Sequence, residues 1–300
     1  MNCIGYFPGC SLEGGGIEYA MSIQALCRVA GVELREIDDW SCCGASAAHA
    51  LDHDLAVALP LRVLILAAEQ GLTEVFAPCA ACFSRLKGTL VRLERQPELR
   101  VRAEAAVGRS LTAPVRVVNV VELVGRLLDQ GLAERLTRPL TGLRVAPYYG
   151  CLLSRGDGLI EHDDPEQPNG MSAAIRAAGG EVIDWAFATE CCGGGFSLPM
   201  TDAVLRLSGA ILEDARSRGA ELIVTGCPMC HSNLDMRQRA INAAAGGAAA
   251  VPVLYLSELL GLAAGVAPAD LGLDRHYVDA LPLAGRARPA EAVAGGAAHG

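Results

Sequence analysis

Short apolar runs alternate with longer amphipathic stretches along the first half of the chain. Four runs have the length and apolar character of strands: residues 3–7, 32–37, 74–77 and 115–118. Each is followed by a stretch with apolar residues at helical spacing: residues 17–30, 44–71, 80–93 and 120–128. Gly31 is placed to cap the first helix, and Pro60 predicts an interruption of the second. Strands and helices that alternate four times predict a parallel sheet covered by helices on both faces.

The second half of the chain repeats the first from residue 143 onward. Ten of the twelve cysteines form two sets of five with nearly the same spacing. The first set is Cys10, Cys42, Cys43, Cys79 and Cys82, and the second is Cys151, Cys191, Cys192, Cys227 and Cys230. The flanking sequence repeats as well, with WSCCGA facing ECCGGG and GLTEVFAPCAACF facing GAELIVTGCPMCH. A tandem repeat of this kind predicts two copies of one α/β domain, related by a pseudo-twofold axis.

The extent of the repeat sets the expected domain limits. We expect the first domain at residues 1–140 and the second at residues 141–268. Residues 269–300 form a C-terminal extension with little periodicity, and its last part is dominated by Ala, Gly, Arg and Pro. That composition predicts partial disorder of the extension.

Each cysteine group comes just after a predicted strand. Cys10 follows the first strand, Cys42 and Cys43 follow the second, and Cys79 follows the third. Because the carboxyl ends of parallel strands lie at the same edge of a sheet, loops that are distant in sequence converge there. We therefore expect the five thiols of each half to meet at the carboxyl edge of its sheet.

Charge and hydropathy exclude several classes of function. The formal net charge is −9 and the isoelectric point is about 5.2, which argues against a nucleic-acid-binding surface. The amino terminus has no leader pattern, and no apolar run approaches the roughly 18 residues of a membrane span. We therefore expect a cytoplasmic protein with no membrane insertion and no nucleic-acid partner. In that compartment, cysteines indicate metal ligands or redox groups before disulfides.

Five cysteines per half exceed the needs of common four-ligand sites. A structural zinc ion takes four ligands, and a four-iron cluster typically takes four thiolates. Vicinal cysteines such as Cys42 and Cys43 chelate one tetrahedral ion awkwardly but can reach two neighbouring irons. The pattern favours a multinuclear iron–sulfur cluster, while zinc and metal-free dithiol chemistry stay open. Gly9, Gly44 and Gly150 flank cysteines and permit close backbone approach to a cluster.

Two cysteines and two histidines outside the two sets also carry predictions. Cys3 and Cys27 have no counterpart in the second half, and we expect both to be buried core thiols. His49 and His231 lie beside the cysteine segments and are candidate proton donors. No side chain is otherwise singled out for catalysis.

At these residues the chain resembles a known family. FPGCSL, DDWSCCGASAAH and PCAACF in the first half, with ECCGGG and GCPMCH in the second, look like the CCG-domain (cysteine-rich domain) proteins. The resemblance is greatest to the B subunit of heterodisulfide reductase. It implies that each five-cysteine set binds a noncubane [4Fe-4S] cluster through all five thiolates. It also implies that the two clusters face each other across the pseudo-twofold interface.

The same resemblance implies an activity and partners. A heterodisulfide reductase-like catalytic subunit would reduce, or oxidatively form, a disulfide or related sulfur substrate between its two clusters. Its expected partners are a ferredoxin-like C-type subunit and a flavin-containing A-type subunit. Two alternatives stay open: an electron-transfer iron–sulfur subunit of a lactate or glycerol-3-phosphate dehydrogenase-like complex, and a zinc-stabilised scaffold. The residues leave the substrate and the direction of electron flow undetermined.

Overall fold

Two four-stranded parallel sheets form the framework of the computed structural model, which describes residues 3–45, 48–155, 159–244 and 250–288. The strands of the first sheet are β1 (Cys3–Tyr6), β2 (Glu33–Glu36), β3 (Glu74–Phe76) and β4 (Arg116–Val118). Those of the second are β5 (Arg144–Tyr148), β6 (Glu181–Val182), β7 (Leu222–Thr225) and β8 (Val253–Tyr255). The orders β2-β1-β3-β4 and β6-β5-β7-β8 are identical between the halves, and all neighbouring strands are parallel. The predicted α/β class with two tandem parallel sheets is confirmed.

Helices connect the strands and flank both sheets. The first half contains α1 (Gly9–Leu12), α2 (Ile17–Ala30), α3 (Ala48–Leu51), α4 (Leu55–Glu69), α5 (Ala80–Arg95), α6 (Pro97–Val107) and α7 (Val120–Leu127). The second half contains α8 (Gly170–Ala177), α9 (Thr201–Ser217), α10 (Pro228–Leu234), α11 (Gln238–Ala244) and α12 (Leu256–Ala263). The extension adds α13 (Pro268–Leu271) and α14 (Leu281–Ala284). Shorter turns of π and 3-10 helix follow α7, precede α9 and follow α13.

Local sequence signals fix some helix ends and not others. Helix α2 ends as predicted at Gly31, whose φ of 74° is left-handed and whose N–H bonds to the carbonyl of Arg28. The predicted interruption at Pro60 is wrong, because Pro60 lies buried inside the continuous helix α4. The break falls earlier, where Asp52 Oδ1 accepts the N–H groups of Asp54 and Leu55 and starts α4. Helix α6 was not among the predicted elements.

The first part of the C-terminal extension is folded against the rest of the chain. Leu271, Leu273 and Leu283 are buried in the core shared by the two halves. Gly272 has a φ of 78°, and a Cβ there would meet Glu18 of α2 at 2.7 Å. Residues 289–300 lie outside the described residues. The domain limits at residues 140 and 268 stay predictions.

The two halves share one core instead of meeting at a loose interface. Helix α2 of the first half packs against α12 of the second, where Ser22 Oγ lies 2.8 Å from Ser257 Oγ. The ring of Tyr19 stacks on that of Tyr255 at a centroid distance of 3.9 Å. All four side chains are fully buried or nearly so. The halves therefore hold a fixed orientation, and the loops that follow their strands are held with them.

We expect Asn119→Ala to lower the free energy of unfolding by about 1–2 kcal/mol, because it removes a helix N-cap. The Oδ1 atom of Asn119 accepts the N–H groups of Val121 and Glu122 at 2.9 and 3.0 Å, at the start of α7. Urea unfolding measures the loss. Asn119→Ser retains a capping oxygen and is the control, which should recover most of the stability. Equal losses in both variants would contradict the capping role.

Candidate metal centres

The first five-cysteine set converges at the carboxyl edge of the first sheet. Cys10 follows β1, Cys42 and Cys43 follow β2, and Cys79 and Cys82 begin α5 after β3. The Sγ atoms of Cys43 and Cys82 lie 3.3 Å apart. Cys79 and Cys82 are also close enough for each to shift the pKa of the other, and Cys42 and Cys43 raise the pKa of Cys10. The structure thus brings all five predicted side chains together.

The second set repeats this arrangement on the second sheet. The Sγ atoms of Cys192 and Cys230 lie 3.4 Å apart, and those of Cys151 and Cys191 lie 4.0 Å apart. Cys227 and Cys230 are also close enough for each to shift the pKa of the other. Equivalent cysteines make equivalent contacts in the two halves, as the matching spacing requires.

The two sets touch at the junction of the halves. The buried thiols of Cys79 and Cys227, the first cysteine of each CxxC pair, are close enough for each to shift the pKa of the other. The two centres are therefore neighbours in space, although 148 residues separate these two cysteines in the chain.

The vicinal cysteines of each pair have different neighbours. Cys43 is buried and contacts Cys82, whereas Cys42 is exposed and contacts Cys10. In the second half Cys192 and Cys191 divide in the same way between Cys230 and Cys151. A single tetrahedral ion needs its ligands around one point. The two sulfurs of each vicinal pair contact different cysteines. They therefore suit a centre with several metal ions better than a single ion.

Glycines make room for the sulfurs and turn backbone N–H groups toward them. A Cβ on Gly9, where φ is +64°, would lie 2.9 Å from Cys82 Sγ, and one on Gly150 would lie 3.0 Å from Cys230 Sγ. The N–H of Gly44 donates to Cys42 Sγ at 3.4 Å, and that of Gly193 donates to Cys191 Sγ at 3.3 Å. N–H donors to cluster sulfurs and close backbone approach are features of iron–sulfur sites. The residues present therefore fit such a group.

Contacts between thiols shift the pKa values within each set. The contact with Cys82 lowers the pKa of Cys43 to about 7 despite burial, and the same contact raises the pKa of Cys82. In the second half the contact with Cys230 likewise lowers the pKa of Cys192. Because the thiolate is the metal-binding form of cysteine, these shifts favour Cys43 and Cys192 as ligands.

One tyrosine links the two CxxC loops. The hydroxyl of the fully buried Tyr19 lies 3.0 Å from the carbonyl oxygen of Gly226 and 3.4 Å from that of Pro78. These carbonyls belong to the residues immediately before Cys227 and Cys79. Tyr19 comes from α2 of the first half, so its hydroxyl ties the two loops at the junction.

Of the two candidate proton donors, the structure describes the side chain of one. The side chain of His49 lies outside the described residues. His231 is buried beside Cys230, and its Nε2 lies 3.0 Å from the carbonyl oxygen of Val253 and 3.2 Å from His276 Nδ1. Burial lowers the pKa of His231 to about 3, so the ring is neutral. Its role as a donor stays a prediction.

A buried polar cluster next to the second centre was not foreseen from the sequence. His276 Nε2 lies 2.9 Å from Glu258 Oε1, and Asp235 accepts the N–H groups of Tyr277 and Val278. The ligand atoms of His231, Asp235 and His276 lie within 4.8 Å of one another. Since each of them already has a hydrogen-bond partner, they form an internally satisfied network. His276 lies in a segment without periodicity, so no sequence signal marked it.

The two unpaired cysteines differ from each other. Cys27 is buried on α2, as predicted. The prediction for Cys3 is wrong, because Cys3 is exposed. It is the first residue of β1, at the amino end of the sheet and away from the edge where the other thiols meet.

Paired five-cysteine centres on tandem parallel sheets define a duplicated cysteine-rich domain. The profile of the CCG cysteine-rich domain matches residues 4–87 and 145–235. The chain belongs to this family.

Relatives extend over almost the whole chain. An 8-methylmenaquinol:fumarate reductase membrane anchor subunit of Wolinella succinogenes is 31% identical over 93% of this chain and 98% of its own length. The B subunit of a ferredoxin:CoB-CoM heterodisulfide reductase of Methanosarcina mazei is 29% identical over 93% of this chain and 94% of its own. The resemblance to the B subunit of heterodisulfide reductase is confirmed. These relatives are subunits of oxidoreductase complexes.

A solved structure shares the fold. The crystal structure of a hypothetical protein from Helicobacter pylori superposes with a TM-score of 0.75 at 13% identity and covers 92% of this chain. This chain spans 52% of that protein. At this identity the similarity concerns the fold alone. Among the described helices of this chain, none is both long and apolar enough to cross a membrane.

We expect Tyr19→Phe to lower the free energy of unfolding by about 1–3 kcal/mol, because it leaves the buried carbonyl of Gly226 without its donor. The loss is measured as a shift of the urea midpoint. Tyr277→Phe is the control, since Tyr277 is 73% exposed, and it should stay within about 0.5 kcal/mol of the unmodified chain. Equal stability of all three proteins would contradict the linking role of Tyr19.

Proposed function

We propose that this chain is the iron–sulfur subunit of an oxidoreductase complex and that each five-cysteine set holds one [4Fe-4S] cluster. The first would use Cys10, Cys42, Cys43, Cys79 and Cys82, and the second Cys151, Cys191, Cys192, Cys227 and Cys230. Five available thiolates per set and the division of the vicinal cysteines support a noncubane form. The free thiols suit a reducing compartment, so we place the protein in the cytoplasm.

The observation that carries the function is a pocket lined by residues of both halves. Its volume is about 680 Å³, within the range of small-molecule sites. Its walls come from both halves and follow the cysteines in sequence: Ser11, Gly15, Gly16, Ala45 and Ala50 from the first, and Gly194, Gly195, Phe196, Ser197, Leu198, Pro199, Pro228, Met229 and Ser232 from the second. A substrate there would lie beside the segments that carry Cys10, Cys192 and Cys227.

Heterodisulfide reductase-like chemistry fits this arrangement. A disulfide takes up two electrons and two protons to give two thiols, and the reverse reaction forms the disulfide. When bound, iron–sulfur clusters supply electrons one at a time, so two neighbouring centres match a two-electron substrate. In the chain itself, Met229 lies between Cys227 and Cys230 and forms part of the pocket wall. Its partly buried side chain packs against the cores of both halves and helps to keep water from the junction.

Partner subunits are part of the proposal. The relative in Methanosarcina mazei is named as part of a ferredoxin:CoB-CoM heterodisulfide reductase, which supports a ferredoxin-like C-type subunit as electron donor. The flavin-containing A-type subunit is proposed from the resemblance of the cysteine motifs to heterodisulfide reductase. Phe196, Leu198 and Met200 are exposed beside the pocket, and Leu198 is 93% exposed. Large exposed apolar side chains in one segment suit contact with a partner protein.

A second candidate function is favoured by the neutral lining of the pocket. None of its described lining residues carries a charged side chain. The hydroxyl groups of Ser197 and Ser232 already bond to Gly194 and Met236. Since burying an unpaired charge is costly, such a pocket suits an uncharged molecule. The relative in Wolinella succinogenes is named for 8-methylmenaquinol, so electron transfer between a quinol and a partner subunit is the alternative.

Anaerobically prepared protein should contain about eight iron atoms per chain, as two four-iron clusters require. Gly9→Ala should lose about half of that iron, because its Cβ would displace Cys82. Gly71→Ala is the matched control, since Gly71 has a similar φ of +73° but nothing within 4 Å of its Cβ position. About two zinc ions with negligible iron would select the scaffold alternative.

The rate at which a disulfide or a quinone reoxidises the reduced, iron-loaded protein distinguishes the two candidate functions. Glutathione disulfide is the disulfide probe and menadione the neutral quinone probe, with cluster absorbance as the readout. Faster reoxidation by the disulfide supports the leading function. Reoxidation by menadione alone supports the quinol alternative. Phe196→Asp should slow the reaction with menadione at least tenfold, since it places a charge in the pocket.

A further inference from the structure

The helices that follow the two CxxC pairs carry different charges at equivalent positions. Three residues after Cys82, helix α5 carries Arg85, and three residues after Cys230, helix α10 carries Asn233. Residues three apart on a helix lie on one face, so each side chain neighbours the cysteine of its own half. The repeat therefore places a cation beside one centre and a neutral amide beside the other.

Most sulfurs of the two centres are matched in burial. Cys43 and Cys192 are each 3% exposed, and the CxxC cysteines of both halves are all buried. The exception is the first cysteine of each set, since Cys10 is exposed and Cys151 is half-buried. The short contact between Cys43 and Cys82 is 3.3 Å, and its counterpart is 3.4 Å. Apart from that first cysteine, burial and thiol geometry are alike in the two halves, whereas Arg85 and Asn233 differ in charge.

Asn233 acts on the second centre as a dipole. It is buried, and its Nδ2 donates to the carbonyl oxygen of Cys192 at 3.3 Å and to Cys192 Sγ at 3.7 Å. Its Oδ1 accepts the hydroxyl of Ser197 at 3.0 Å. These bonds fix the amide in one orientation, with a long and weak N–H···S contact.

Arg85 acts on the first centre as a full charge. After the hydrogen bond from Cys82, the guanidinium of Arg85 is among the groups that lower the pKa of Cys43. Arg85 is half-buried, so solvent screens this charge only in part. The field of a charge falls more slowly with distance than that of a dipole, so Arg85 reaches the whole centre.

Other charges near the two centres leave this difference in place. Two residues further along the chain, Lys87 of the first half is paired with Glu161 at 3.2 Å, and Asp235 of the second half is buried. Glu13 and Asp38 of the first half are exposed and screened by solvent. Asp39 is neutralised by Arg62 at 2.5 Å.

We propose that the first centre has the higher reduction potential and is reduced before the second, because Arg85 stabilises the added negative charge. This inference rests on the proposed function, since it requires a cluster in each set. Net charge and hydrogen bonds to the sulfurs are established determinants of cluster potentials. The asymmetry gives the duplicated protein an order of reduction that two identical halves would lack.

Redox titration of the anaerobic, iron-loaded protein, followed by electron paramagnetic resonance, tests the order of reduction. Two one-electron steps are expected. Arg85→Asn should lower the upper step and leave the lower one in place. We expect the upper potential to fall by about 59 mV, which corresponds to a tenfold change in how one electron is distributed between the two centres.

Two variants control for charge and position. Arg85→Lys retains the charge and should retain most of the upper potential. Arg95→Asn removes an equal charge from the exposed last residue of the same helix and should shift neither step.

Asn233→Arg is the converse test and should raise the potential of the lower step. If this variant fails to bind iron, the Arg85 variants decide.

The outcomes separate this inference from the proposed function. Absence of iron from the unmodified protein would contradict both. Full iron content with coincident steps, with no shift in Arg85→Asn, or with a shift of the lower step would overturn only the order of reduction. An equal shift in Arg95→Asn would also overturn it, because a general charge effect would then explain the result.

Discussion

The contact between Cys79 and Cys227 is the constraint on which the rest of the structure depends. Thiols are weak hydrogen-bonding groups, and bringing buried thiols from two domains together requires a rigid junction. That junction is made by helix α2, which carries Tyr19 into the second half and packs on α12. Because the two halves share a core, the sulfur centres keep a fixed separation and the pocket lined by both halves keeps its shape.

The backbone around the thiols is adapted to their crowding. Glycine at residues 9 and 150 takes a left-handed conformation where any Cβ would strike a sulfur. Contacts between the thiols then lower the pKa of Cys43 and raise that of Cys82. The lowered pKa favours the thiolate, which is the form of cysteine that metals bind.

Duplication has produced two centres that are alike in geometry and different in surroundings. The sheets have the same strand order, and equivalent cysteines have the same contacts. The surroundings differ, since the second half supplies the apolar wall of the pocket and the buried network of His231, His276 and Glu258. A symmetrical framework with unsymmetrical neighbours can direct electrons between two otherwise equivalent sites.

Much of the fold was determined by local sequence. Strand and helix alternation gave the four βα units of each half, and Gly31 marked the end of α2, because periodicity and capping are local properties. Cysteine spacing determined the repeat and the membership of both sets. Helix α6 and the continuity of α4 through Pro60 were not predicted, since packing of the surrounding core overrides local propensity there.

Only the tertiary structure decided how the centres relate to each other. The approach of Cys79 to Cys227, the bond from Tyr19 to Gly226 and the pocket between the halves all join residues that are distant in the chain. The same holds for His276, which reaches His231 from a segment without any periodic pattern. Sequence periodicity specifies which face of an element is apolar, but the partner of that face is chosen by packing of the whole molecule.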